Sequence, residues 1–243
     1  MGLLDIFTGG SGPEKALKLK PKVTQKYGDP ATRQKALQQL GEMKVPEAVS
    51  VLLSRFTITV DPLTTDADEK EHTFELVKSF GKDVAVPPIL EFLRTSEQAA
   101  SWALRLLGEL TSEEETITAC VSALQHLSAH YTRNPEKRVV LLHHVAGSQD
   151  PRIPPAVVPF LEDMSDDVKI AALKTLGAFK YEPAREPMLK LLTADETARR
   201  VQTSVLSALA EGGFSVEGYQ EKVEPLLVEP YALGNDQRIQ RRA

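Results

Sequence analysis

One six-residue phrase is written three times in this chain, as "ALQQLG" at 36–41, "ALRLLG" at 103–108 and "ALKTLG" at 172–177. Apolar residues at its first, second and fifth positions make one stripe of an amphipathic helix, and a closing Gly lets the chain turn without a steric penalty. The phrase therefore reads as the end of a first helix. A fourth copy is "LVKSFG" at 76–81, and degenerate copies are "LLHHVA" at 141–146 and "VLSALA" at 205–210. The last position falls at 41, 81, 108, 146, 177 and 210, so the steps of 40, 27, 38, 31 and 33 scatter around the length of one helical hairpin. A second striped segment follows each phrase, beginning with Ala48, Val49, Leu52 and Leu53 and ending with Val223, Leu226 and Leu227. A lone hairpin of this size cannot cover its own apolar face, so neighbours must stack. The expectation is an all-α fold, an α-solenoid of about six stacked helical hairpins over 28–227. An N-terminal segment (1–27) and a C-terminal tail (228–243) flank it.

Helix starts recur with the phrase. Asp29-Pro30 offers a cap followed by Pro at the first helical position, and Ser165-Asp166-Asp167 offers a cap with acids at the positive helix end. Asn134-Pro135, Asp150-Pro151 and the Pro87-Pro88 pair read as further starts. On these residues, "DPATRQKALQQLG" with "VPEAVSVLL", and "SDDVKIAALKTLG" with "YEPAREPMLKLL", resemble HEAT repeats of the short bacterial type also seen in phycobilin lyases. The resemblance covers about 28–227 and implies a HEAT-repeat solenoid of bacterial type. It is confined to the repeat pattern and implies no chromophore.

Composition narrows the function classes. Net charge is −5 with a pI near 5.6, against the basic surface of a duplex-binding protein, so no nucleic acid is expected. No apolar run approaches the ~20 residues that cross a bilayer, and Met1 to Phe7 lacks the features of a secretory signal, so a cytoplasmic location is expected. The single Cys120 excludes an intramolecular disulfide and reads as a buried small hydrophobe. Gly81-Lys82-Asp83 lacks the frame of a phosphate-binding loop, and Gly147-Ser148-Gln149 is no nucleophile elbow.

Histidine is the one constellation with chemical potential. His126 and His130 stand i, i+4 on one helix, with His143 on the next, and could offer a metal three imidazoles. Yet His143-His144 align with Gln38-Gln39 and Lys174-Thr175, positions expected to be exposed, so no obligate metal and no cofactor are expected. Within the HEAT family, the iron-dependent deoxyhypusine hydroxylases are marked by His-Glu pairs. This chain has Glu71-His72 in reverse order and no His-Glu, which argues against that activity. The HEAT-like alkylpurine DNA glycosylases use a basic cleft with aromatic residues, whereas Trp102 here lies beside an apolar stripe and reads as packing.

Three segments depart from the period. Residues 55–71 lengthen one step, and β-branched Thr57 to Val60 read as a short extended piece in a solvent-facing loop. At the N-terminus, Leu3, Leu4, Ile6 and Phe7 form an apolar plug ahead of Lys15, Lys18, Lys20 and Lys22. Residues 1–26 carry five lysines against Asp5 and Glu14, a net +3 that leaves −8 for the rest, and could dock on an anionic membrane or a partner's groove. The tail from Val228 has no long periodic run and reads as loosely packed.

A curved solenoid presents its second helices on the concave side, which places Glu47, Glu91, Arg94, Arg185, Glu186 and Lys190 as candidate protein contacts. The leading expectation is therefore a non-catalytic scaffold or adaptor for a protein partner. The alternatives are a lyase or chaperone-lyase-like subunit binding a small molecule in the concave groove, and a peripheral membrane adaptor.

Overall fold

A computed structural model describes residues 12–127 and 134–242. The chain is all-α in class, with thirteen α-helices and one small β-hairpin among the described residues. It divides into two compact units after Thr116.

The first unit holds α1 (Gly12–Val23), α2 (Pro30–Glu42), α3 (Pro46–Leu53), α4 (Leu63–Lys78), α5 (Lys82–Thr95) and α6 (Ala100–Leu110), and ends within α7 (Glu113–His126). Asp29 caps α2 as expected, accepting from the Ala31 amide at 3.0 Å, with Pro30 in the first turn. The stripes become the core: Leu37, Leu40, Val49, Leu52, Val77, Ile89, Ala103 and Leu106 have no accessible surface. Pro87 and Pro88 correct a sequence expectation, for they lie inside α5, whose start is set by Gly81 at φ +76°. Two hydrogen bonds of the helix ladder are thereby lost, offset by burial of Pro88, Ile89 and Leu93.

The second unit holds the rest of α7 and α8 (Glu136–Val145), α9 (Ile153–Val157), α10 (Asp166–Phe179), α11 (Arg185–Thr193), α12 (Arg199–Gly212) and α13 (Gln220–Val223). Asn134 accepts from the Glu136 amide at the head of α8. Ser165 makes no side-chain cap on α10, and its own amide instead donates to Asp163 Oδ1 at 2.8 Å. Thr175, expected to be exposed, is fully buried and donates to the Ala171 carbonyl within α10. The tail also differs from expectation. Strands β1 (Tyr231–Leu233) and β2 (Ile239–Arg241) pair antiparallel, and β2 packs on α12 through the buried Ile239.

Within each unit, hydrogen bonds between side chains 33 or 34 positions apart tie successive hairpins. Arg105 to Glu71 and Lys82 to Glu115 do so in the first unit. Arg152 to Thr118, Arg200 to Asp166 and Tyr219 to Glu186 do so in the second.

The glycines that close the repeated phrase have a different role from the one expected. Gly41, Gly108 and Gly177 lie inside α2, α6 and α10, not at turns beyond them. A Cβ on Gly177 would stand 3.0 Å from Ala208 Cα and 3.1 Å from its carbonyl oxygen, and one on Gly41 would stand 2.7 Å from the tip of Leu76. At these two positions Gly admits the neighbouring hairpin's first helix. No helix among the described residues is long and apolar enough to cross a membrane.

Candidate functional site

The departure at 55–71 is built around charge, not a loop. Ser54–Thr57 form one 3-10 turn, and α4 begins at Leu63, so most of the presumed loop is helix and no strand forms at Thr57 to Val60. Arg55 is 0% exposed, and a buried guanidinium is tolerable only with its donors satisfied. Its Nε donates to Glu69 Oε2 at 3.0 Å, one terminal amine to Asp66 Oδ1 at 2.7 Å and the other to the Ile58 carbonyl at 3.2 Å. Arg33 of α2 reaches the same Glu69 in a fork of 2.6 and 2.9 Å. Lys70 closes the cluster on Asp66 at 2.7 Å, and the Val60 amide donates to Asp66 as well.

Burial pushes the Asp66 and Glu69 carboxyls upward, but their cationic partners prevail and hold both below their ordinary values. Lys70 and Arg55 do this for Asp66, and Arg33 and Arg55 for Glu69. A second buried pair, Arg138 to Asp163 at 2.5 Å, stands in the other unit.

Above the ion cluster lies the groove that could hold a ligand. It has a volume of about 820 Å³, within the ordinary range for small-molecule sites. From α2 come Ala31, Gln34, Lys35, Leu37 and Gln38; from α4 come Asp68, Glu69, His72 and Leu76. Each set follows helical spacing, so each wall is one face of one helix. Leu37 and Glu69 are buried and make the floor, while Gln34, Lys35, Gln38, Asp68 and His72 are exposed. The arrangement offers two primary amides, one ammonium, one exposed carboxylate and one imidazole over a floor of Leu37 and the ion-paired Glu69. It can hydrogen-bond a polar molecule, and His72 and Asp68 can exchange protons with it.

Beside this, Trp102 packs as the sequence indicated, stacked on Phe56 at 4.7 Å and tilted against Phe74 at 6.2 Å. Arg105 covers the Phe74 ring at 4.0 Å and is held there by Glu71. Cys120 is fully buried, and burial pushes its thiol up to about 12, so it is no nucleophile.

The residues singled out from sequence are scattered. None of the second-helix candidates lines the groove. Glu47 stands half-buried in the first turn of α3, and Arg94 pairs with Glu91 on α5 at 2.6 Å. Arg185 clamps the loop after α12, donating to the carbonyls of Ser215 and Glu217 at 2.6 Å each. Glu186 accepts from Tyr219 at 2.6 Å and faces Lys190 at 3.6 Å. Lys15, Lys18, Lys20 and Lys22 are exposed on α1, whereas Leu3, Leu4, Ile6 and Phe7 lie outside the described residues.

Of the histidines, His126 Nδ1 is 2.7 Å from the Ser122 carbonyl, His143 is exposed on α8, and His130 lies outside the described residues. Among the described residues no group of three or more His, Cys, Asp or Glu side chains is placed to hold a metal. The groove residues were missed because first helices were expected to face outward. The available signal was charge on an apolar stripe: Arg33 shares a face with Leu37 and Leu40, and Glu69 with Thr73 and Val77.

No family model and no curated protein matches this sequence. Among solved structures, human deoxyhypusine hydroxylase in complex with glycerol is similar, with 13% identity and a TM-score of 0.37, over 88% of this chain and 92% of that one. That protein is by name a hydroxylase, an enzyme, which stands against the expectation of a non-catalytic scaffold. At that identity and TM-score neither its reaction nor its residues transfer to this chain.

Proposed function

We propose that this protein is a small-molecule-binding subunit of the lyase-like type, with its ligand seated in the α2–α4 groove of the first unit. The observation that supports it is the groove itself, with hydrogen-bonding side chains on both walls and Leu37 in its floor. The rigid ion cluster beneath supports the reading, because it braces the elements that carry those side chains. Gln34 and Gln38 select a polar ligand, Lys35 favours an anionic group on it, and His72 with Asp68 supplies the proton exchange that an elimination or addition needs. The bacterial, phycobilin-lyase-like character of the repeats belongs to the same proposal and is carried by the repeat sequences alone.

The test is mass spectrometry of small molecules extracted from the purified full-length protein, repeated on Gln38→Ala and His72→Ala. A molecule on the order of a few hundred daltons should copurify with the parent. It should be depleted from Gln38→Ala, and either depleted or chemically altered in His72→Ala, with circular dichroism unchanged in both. Identical small-molecule content in the parent and both variants would remove the groove from consideration.

A further inference from the structure

The cations of this protein fall into two populations. Arg33, Arg55, Arg105, Arg138 and Arg200 are each spent on an acid of their own unit. The lysines of α1 are not. Lys15, Lys18, Lys20 and Lys22, with Lys26 just beyond the helix, are exposed and make no ion pair among the described residues. Glu14 is the only acid between 12 and 28, so this short segment carries a net +4 in a chain whose total is −5.

The fold explains why these charges gather on one surface. α1 packs on α2 and α3 through Ala16 and Val23, so the rest of its circumference is open. Lys15, Lys18 and Lys22 recur at i, i+3 and i+7 and form one stripe, with Leu17 and Lys20 on another. Two apolar side chains stand among the cations, Leu17 at 52% exposure and Tyr27 at 85%. A stripe of ammonium groups on flexible stems with apolar tips beside it matches an anionic bilayer surface. There the lysines meet headgroup phosphates and carboxylates, and Leu and Tyr settle at the headgroup boundary. Base stacking on a nucleic acid would call for more than one aromatic ring. The −9 carried elsewhere in the chain is repelled by the same surface, so α1 is the part presented to it.

We propose that the lysine face of α1 docks this protein on anionic membranes. The docking is electrostatic and reversible, and independent of the groove. The experiment is cosedimentation of the full-length chain with phosphatidylcholine vesicles, with and without phosphatidylserine, at low and high salt. Binding should require phosphatidylserine and disappear at high salt. The triple variant Lys15→Glu, Lys18→Glu, Lys22→Glu should bind on the order of a hundredfold more weakly, since each near-surface lysine contributes roughly fivefold. All three side chains are exposed, and unchanged circular dichroism shows that the fold is intact. Leu17→Ser should weaken binding less and leave its salt dependence in place. Two results would overturn the proposal: equal binding with and without phosphatidylserine, or retention of binding by the triple variant, whether or not deleting 1–11 abolishes it. So would tighter binding to polyuridylate or polyglutamate, competing the protein off the vesicles.

Discussion

The helix pairs α2–α4 and α10–α12 are written alike and packed differently. Each joins the first helices of successive hairpins within one unit, and in each the earlier helix ends on the repeated phrase. Where Gly177 meets Ala208, two small residues bring backbones so close that a single Cβ would stand 3.0 Å from a Cα. Where Gly41 meets Leu76, the contact is with a side-chain tip, and about two turns nearer the helix starts the gap is spanned by Arg33 and Glu69. One seam is closed by shape and the other is bridged by charge. The lesson is that the phrase specifies a stackable helix, while the residue facing its Gly, and the charges under the stripe, decide whether stacking leaves a groove.

The strongest way to break this contrast is Glu69→Ala. It leaves Arg33 and Arg55 buried without their shared carboxylate, and should cost about 3–5 kcal/mol. Urea unfolding followed by the fluorescence of Trp102, the only tryptophan and stacked in the first unit, measures it. An unchanged midpoint would mean that the ions do not hold the seam.

Acid should open the same seam more gradually. Asp66 and Glu69 titrate below their ordinary values when folded, so the unfolded chain binds their protons first. Their contribution is therefore complete above the unfolded carboxylate range near pH 4 and is lost as pH falls through the folded values. The Trp102 transition should move to lower urea on acidification below about pH 4, and should do so much less in Glu69→Ala.

The smallest effects separate the glycines. Gly177→Ala overpacks a backbone contact and should destabilise by about 1–3 kcal/mol. Gly108→Ala, inside α6 with open space where its Cβ would go, should stabilise by about 0.5–1 kcal/mol from helix propensity alone. Thermal unfolding by circular dichroism distinguishes the signs. Equal effects would return the glycines to a simple turn-forming role.

The hairpins were legible because helical periodicity is local: Ala36, Leu37 and Leu40, and their counterparts in the other copies, announce a buried stripe whatever lies opposite. The Asp29 cap was legible for the same reason. The groove was not, since one of its walls begins within the 55–71 segment, and that segment was read as a solvent loop. Its acids look solvated in sequence and become buried partners only once Arg33 and Arg55 are brought to them. Likewise Arg185 and Glu186 read as free contact residues, yet the fold commits them to Ser215, Glu217 and Tyr219.

By itself, then, the sequence determined an all-α chain of repeated hairpins, the positions of its core stripes and the lysine-rich N-terminal segment, because each follows from spacing within a turn or two of helix. Only the tertiary structure decided that Gly41 and Gly177 serve close approach, that the tail pairs as β1 and β2, and that Gln34, Gln38, Asp68 and His72 share one groove. Those outcomes depend on which side chains meet across tens of residues, and the distance between two packed helices is set by the volumes and charges of both partners at once.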